Sequence, residues 1–186
     1  MRSAPAPPDL GLQQRLRAGD REALTVLFER HREHVFALCW RLAGASVAED
    51  LLQETFLRVW LYRASVTGRA KFSTWLYAVA RNVCRDYLRR CARERSLGEE
   101  ARVDALVAAT PHPRGRAEGR LAIRELVAML GPDAREALIL SRFHGLSYRE
   151  IGEICGCTEG AVKVRIHRAL ERLRTAVENK EARHGL

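Results

Sequence analysis

Gly145–Arg174 reads GLSYREIGEICGCTEGAVKVRIHRALERLR, and this stretch decides the fold class. Ser147 and Glu150 have the spacing of a capping box, with Leu146 and Ile151 at the staple positions on either side. A short helix follows, with Ile151, Ile154 and Cys155 pointing inward and Gly152 as the small residue where a second helix crosses closely. Gly156 suits a left-handed C-terminal turn, and Thr158 is placed to cap the next helix. On that second helix Val162, Ile166, Ala169, Leu170 and Leu173 fall on one apolar stripe. The opposite face carries Gly160, Lys163, Val164, His167 and Arg168. Two short helices on a glycine turn, the second one basic, form a device for putting a helix in the major groove. Lys163 and Arg168 can donate to guanine edges and Val164 can touch a thymine methyl. Arg165, Arg172 and Arg174 lie to the side or further along and suit phosphates. The competing reading is a helical hairpin with a solvated basic face, but capping, small residue and turn all agree with the DNA-binding one.

The rest of the chain is helical in pattern, with no alternating run that would make a strand. Leu24, Leu27, Phe28, Val35, Leu38, Cys39 and Leu42 recur at helical steps until Gly44. Ser46 and Glu49 predict a second capping box, opening a helix from Val47 to Tyr62 whose apolar residues are Leu51, Leu52, Phe56, Val59 and Trp60. A third helix, Ser73 to Arg90, has its stripe at Phe72, Trp75, Leu76, Val79, Ala80, Val83, Tyr87 and Leu88. The pattern fades between about 92 and 119, where Pro111, Pro113, Gly98 and Gly115 predict a linker with one helical turn near Asp104 to Ala109. It resumes with Leu121, Leu126, Val127 and Leu130, breaks at Gly131-Pro132, and continues through Ala137, Leu138 and Phe143. The expected fold is all-α: two small helical domains, roughly 20–92 and 120–178, on a flexible tether.

Two further surfaces stand out. Glu49, Asp50, Gln53 and Glu54 lie outside the apolar stripe of their helix. They suit a basic protein partner, or for the first two, simple compensation of the helix dipole. Arg81, Arg85 and Arg89, at four-residue steps with Asn82 and Asp86 beside them, form a basic ridge suited to a phosphate backbone. The loop Thr67-Gly68-Arg69-Ala70-Lys71 before it is small and basic enough to hold an unpaired base. Aromatics nearby suit stacking, although Trp75 fits the core stripe; Tyr77 is left undecided between core and surface.

Composition bounds the function. The 186 residues carry a formal net charge of +9 and are 47% hydrophobic, which fits a folded protein with a polyanionic partner. No run is long enough for a transmembrane helix and no secretory leader is visible, so membrane insertion is not expected. The five cysteines, Cys39, Cys84, Cys91, Cys155 and Cys157, are odd in number and irregular in spacing, as expected of buried thiols in a reducing compartment rather than a disulfide framework. No HExxH, P-loop or paired-acid arrangement appears, so neither catalytic residues nor a metal or cofactor are expected.

These residues resemble the bacterial sigma-70 family of RNA polymerase sigma factors. AEDLLQETFLRVW (Ala48–Trp60) resembles the core-binding segment of region 2, and KFSTWLYAVARNVCRDYLRR (Lys71–Arg90) its promoter-melting and −10-reading segment. The opening RAGDREALTVLFERH (Arg17–His31) is similar to the first helix of region 2, and Gly145–Arg174 to region 4. The short connection, without a recognisable region 1.1 or 3, points to the extracytoplasmic-function (ECF) group. The resemblance implies region 2 over 10–92, a linker over 93–119 and region 4 over 120–178. It implies that Glu49, Asp50, Gln53, Glu54, Leu57 and Arg58 dock on the β′ clamp helices of core RNA polymerase, with the β flap as a further contact. It implies that Thr67, Gly68, Arg69, Ala70 and Lys71, with Tyr77, Arg81, Asn82, Arg85 and Arg89, take the −10 element. Gly160, Lys163, Val164, Arg165, His167, Arg168 and Arg172 would take the −35 element. Promoter DNA and an anti-sigma factor are further implied partners. The implied location is the cytoplasm, at the nucleoid or held at the inner face of the membrane by that anti-sigma factor. Val66 stands where many relatives have a larger aromatic. The alternative is a stand-alone helix-turn-helix regulator binding duplex DNA as a dimer, which leaves the acidic helix and the loop unexplained.

Overall fold

The computed structural model describes residues 9–66, 71–96, 127 and 129–184. It divides the chain into two compact units, Met1–Ala108 and Ala109–Leu186. The first unit holds α1 (Asp9–Arg17), α2 (Arg21–Ala43), α3 (Ala48–Leu61) and α4 (Phe72–Ser96). The second holds α5 (Pro132–His144), α6 (Tyr148–Cys155) and α7 (Glu159–His184). Among the described residues all regular structure is helical. Loop Thr67–Ala70, the proposed turn at Asp104–Ala109, and Leu121 and Leu126 lie outside the described residues. The helices overrun the expected borders: α4 continues to Ser96, past the start of the expected linker, and α7 to His184.

In the first unit α2, α3 and α4 pack on one another around Leu27, Val35, Leu38, Val59, Phe72, Leu76 and Val83, each at most 1% exposed. Helix α1 was not legible from periodicity. Its nine residues are polar apart from a few leucines, and Leu12 and Leu16, one turn apart, supply its buried side. Asp9 fastens it to α2 by an ion pair with Arg30 and a 3.1 Å contact to His31 Nε2. At the start of α2, Asp20 accepts from the Glu22 and Ala23 amides at 2.9 and 3.3 Å and from Arg15 Nε at 2.7 Å, so its carboxyl is held below the usual range, with Arg15 as the largest cause.

Three expectations need correction. The Ser46–Glu49 capping box does not form: a 3₁₀ turn over Ala45–Val47 runs directly into α3, the Ala48 amide bonds back to the Ala45 carbonyl, and no side chain caps the helix. Glu49 and Asp50 remain in the first turn, where they favour the helix dipole. On α4 the buried stripe is rotated from the one read in the sequence. Tyr77, Arg81, Cys84 and Cys91 are buried along it, whereas Trp75, Val79, Tyr87 and Leu88 are half-buried. Three neighbours, chiefly α2 and α3 and to a smaller extent α1, pack on this helix, which widens its buried arc beyond a single amphipathic stripe. In the second unit Leu170 and Phe143 are exposed rather than core.

The helical hairpin forms as read. Ser147 Oγ accepts from the Glu150 amide while the Glu150 carboxylate accepts from the Ser147 amide. Gly156 is left-handed (φ 66°), and Thr158 Oγ1 accepts from the Ala161 amide at 3.2 Å. Gly152 is needed for a closer reason than helix crossing. A Cβ there would lie 2.7 Å from the Cys157 carbonyl oxygen, in the backbone of the turn itself. Gly152→Ala is therefore expected to cost the second unit about 1–3 kcal/mol. Gly160→Ala, whose Cβ would meet only Thr158 Oγ1 at 4.0 Å, is expected to change stability by less than about 1 kcal/mol. Denaturant unfolding of the two variants checks the contrast.

The α1–α2 clasp gives a pH dependence. Burial is the largest influence on His31 and lowers its pKa, against the opposing pull of Asp9. The unfolded chain thus takes up a proton near pH 6.5 that the folded chain refuses. Stability is full above that pH and declines as pH falls through it toward the lower folded value. His31→Gln is expected to flatten this decline between about pH 7 and 5, as read by thermal unfolding across that range.

Candidate nucleic-acid interface

Burying Leu51, Leu52, Thr55, Phe56 and Val59 fixes the rotation of α3. The opposite side then presents Glu49, Asp50 and Gln53, all exposed, and half-exposed Glu54. The same side carries two bare apolar groups, Leu57 at 53% and Leu61 at 60% exposure, with Tyr62 exposed just past the helix end. Asp50, Gln53 or Glu54, Leu57 and Leu61 step three or four residues at a time, so they form one ridge. Acidic at its start and apolar at its end, this ridge has a chemistry that suits a protein partner better than DNA. Leu61 and Tyr62 were missed from the sequence, where they look like the fraying end of a helix. Trp60 is half-buried under the guanidinium of Arg63, 4.5 Å from the ring centroid, with Arg21 at 6.0 Å.

Arg58 is tied on both sides. It donates to Glu54 at 2.8 Å on its own helix and to Asp86 of α4 at 2.7 Å. These bonds, Asp86 first, hold its pKa above the ordinary arginine value. It is thus a strut between α3 and α4 as well as part of the ridge.

On α4 the expected ridge Arg81, Arg85, Arg89 is not uniform. Arg81 is only 7% exposed and reaches Asn82 Oδ1 at 3.5 Å; Arg85 is half-buried and Arg89 exposed. Tyr77 is buried, and burial pushes its phenol pKa up, which keeps it neutral. Trp75 takes the surface place that the sequence left open for Tyr77: it is half-buried against Phe72, ring centroids 5.8 Å apart. Trp75, Asn82, Arg85 and Arg89 share the solvent side of the helix, an aromatic plane followed by an amide and two cations. Such a series suits an unpaired strand, with the ring for a base and the guanidinium groups for phosphates. Lys71 is exposed at the head of α4.

In the second unit Val162, Ile166 and Ala169 are buried, which turns Gly160, Lys163, Val164, His167, Arg168 and Arg172 outward. Val164 is 47% exposed, as a reader of thymine methyls needs to be. His167 lies 3.4 Å from Glu171. Arg165 is set apart from the others. It pairs with Asp133 of α5 at 3.3 Å and donates to Cys157 Sγ at 3.4 Å, so it braces the turn and α5 against α7. Arg165→Gln is expected to lower the stability of this unit by up to about 1 kcal/mol, whereas Arg168→Ala is expected to stay within about 0.5 kcal/mol of the parent; chemical denaturation separates the two roles.

Among the described residues there is no cluster of three or more histidine, cysteine or acidic side chains that could hold a metal, and no helix is long and apolar enough to cross a membrane.

Comparison with known proteins gives concordant results. Residues 27–94 match the family model for sigma-70 region 2, and residues 120–173 that for sigma-70 region 4. The chain is 33% identical over 155 residues to the ECF RNA polymerase sigma factor SigC of Mycobacterium tuberculosis, covering 83% of each chain. It is 36% identical over 170 residues to the RNA polymerase sigma factor CarQ of Myxococcus xanthus, covering 87% of this chain and 92% of the relative. Among solved structures it is similar to the sigma factor RpoE of Bartonella quintana, crystallised with the anti-sigma factor NepR. The TM-score is 0.68 at 28% identity, over 83% of this chain and 96% of that one. CnrH, solved with the cytosolic domain of CnrY, has the same fold, with a TM-score of 0.69 at 23% identity over 92% of this chain and 97% of that one.

Proposed function

The chain belongs to the sigma-70 family of RNA polymerase sigma factors, in its ECF group, and on that premise we propose how its surfaces share the work of starting transcription. It is a promoter-recognition factor that acts with core RNA polymerase on promoter DNA. The α3 ridge, Glu49, Asp50, Gln53, Glu54, Leu57 and Arg58 with Leu61 added, docks on the β′ clamp helices. The solvent side of α4, with Lys71 and the loop before it, takes the unpaired strand of the −10 element. Lys163, Val164, His167 and Arg168 read the −35 element, and Arg172 anchors a phosphate. The first half runs from about residue 10 to the end of α4 at Ser96 and the second from about residue 120 to the end of α7 at His184, with the segment between them as the linker.

The observation that carries this reading is the bare apolar end of the α3 ridge. Leu57 and Leu61, each more than half exposed beside acids, suit an occupant that is a protein, not DNA. Duplex DNA has no use for that surface, and the match to sigma-70 region 2 favours polymerase over a second copy of the chain as its occupant. The factor performs no chemistry of its own. Strand opening is driven by capture of unstacked bases, which offsets an unstacking cost of a few kcal/mol each. It works in the cytoplasm, and an anti-sigma factor that covers the same ridge holds it inactive.

Run-off transcription with core enzyme on a promoter library tests the reading: discrete start sites are expected only when the chain is present. Asp50→Lys is expected to weaken association with core polymerase while leaving the second unit's DNA contacts intact, as read by co-purification. Arg168→Ala is expected to cost about 1–3 kcal/mol at a single −35 base position. An even loss across all sequences would make Arg168 a phosphate anchor instead.

A further inference from the structure

Beyond Asn82 the solvent side of α4 runs into a basin of about 280 Å³ lined by Arg58, Asp86, Arg89, Arg90 and Arg93. Four arginines and one aspartate line it, and Arg58 is bonded to the Asp86 carboxylate. Two features make this more than a solvated charge run. First, Arg58 enters from a different helix, and its 2.7 Å bond to Asp86 fixes the side of the basin nearest α3. Second, Asp86, Arg89 or Arg90, and Arg93 continue the steps of Trp75, Asn82 and Arg89, so the basin lies in line with the strand-binding side of α4. The positive excess persists when Glu54, which takes the other side of Arg58, is counted with Asp86. Glu94, one position past Arg93, is not among the lining residues.

We propose that this basin is a phosphate subsite that extends the strand-binding surface of α4 to Arg93, with Asp86 as an internal stand-in for the phosphate. The proposal rests on the promoter-binding reading above. Guanidinium groups converging from two helices favour a tetrahedral anion with several acceptor oxygens over a planar carboxylate, which satisfies fewer donors. In the free protein the Asp86 carboxylate offsets part of the charge. A backbone phosphate of the −10 strand becomes an acceptor for Arg89, Arg90 and Arg93, while Arg58 stays with Asp86 and Glu54. The Glu54–Arg58–Asp86 chain therefore also joins the polymerase ridge to this subsite. Neutralising Glu54 by docking leaves Arg58 to Asp86 and frees the other arginines for DNA.

The test uses holoenzyme assembled from core polymerase and the full chain, bound to a forked template from a promoter found by run-off transcription. Affinity is measured as a function of salt. Arg90→Gln with Arg93→Gln is expected to weaken binding about tenfold at low salt and to reduce the logarithmic salt slope by about 0.7–1.4, the release expected for one or two single-strand phosphates. Arg90→Lys with Arg93→Lys is expected to restore most of the slope. Asp86→Asn, which removes the competing carboxylate, is expected to tighten binding several-fold. A methylphosphonate scanned along the −10 strand is expected to find one position that weakens the parent but not the glutamine variant. An unchanged slope in a glutamine variant that still co-purifies with core enzyme overturns the subsite and leaves the promoter reading standing. If the parent holoenzyme binds no promoter, the reading beneath the proposal falls, and the subsite with it. Inorganic pyrophosphate is titrated separately. Saturable binding that the glutamine pair abolishes would assign the basin to a free phosphate compound and overturn the strand assignment.

Discussion

Each functional helix is held in rotation by the apolar residues on its hidden side, and everything this chain presents to a partner depends on that lock. On α3, burial of Leu51, Leu52, Phe56 and Val59 leaves Asp50, Gln53, Leu57 and Leu61 no choice but to face outward. On α7, burial of Val162, Ile166 and Ala169 does the same for Lys163, Val164 and Arg168. Each fully buried apolar side chain contributes about 1.5–3 kcal/mol. A rotation that exposes three or four of them is therefore far costlier than any surface contact it could gain. The functional surfaces are thus rigid before a partner arrives, which spares binding the cost of ordering them.

Charge is then sorted among these fixed faces. A protein with a formal net charge of +9 keeps an acidic and apolar ridge on α3 and places its cations on α4 and α7. The sorting gives electrostatic selection at both surfaces: the acidic ridge is repelled by DNA, and the basic helices are drawn to it. Where the two signs meet, at Glu54, Arg58 and Asp86, they are joined by short hydrogen bonds. That junction ties α3 to α4 at the border between the acidic surface and the basic one.

Much of this was legible in the sequence where one side of a helix decides its own packing. The hairpin of the second unit is an example. Ser147, Glu150, Gly156 and Thr158 act through local backbone bonds, and local rules suffice to place them. The α3 ridge was legible for the same reason, apart from Leu61 and Tyr62. Reading failed where tertiary neighbours decide. Helix α4 is packed by α2, α3 and, less extensively, α1, so its buried arc is broad enough to take in Tyr77 and Arg81 while Trp75 is pushed toward solvent. Periodicity alone places a stripe, not its width. Helix α1 was too short and too polar to stand out, and its clasp through Asp9 to Arg30 and His31 spans more than twenty residues of sequence. The Ser46–Glu49 motif failed because the preceding backbone closed a 3₁₀ turn first. Arg165 has the charge of a phosphate contact, and no local pattern signals that it also engages Asp133, a partner distant in sequence.

The sharpest test is site-specific photo-crosslinking with a photoreactive side chain placed at Leu57 or at Val164. With core polymerase alone, a probe at position 57 is predicted to attach to a polymerase subunit, and one at position 164 not to attach to DNA until promoter is supplied. A probe at position 57 that labels DNA, or labels nothing in a complex that initiates RNA synthesis, would contradict the division of surfaces on which this account stands.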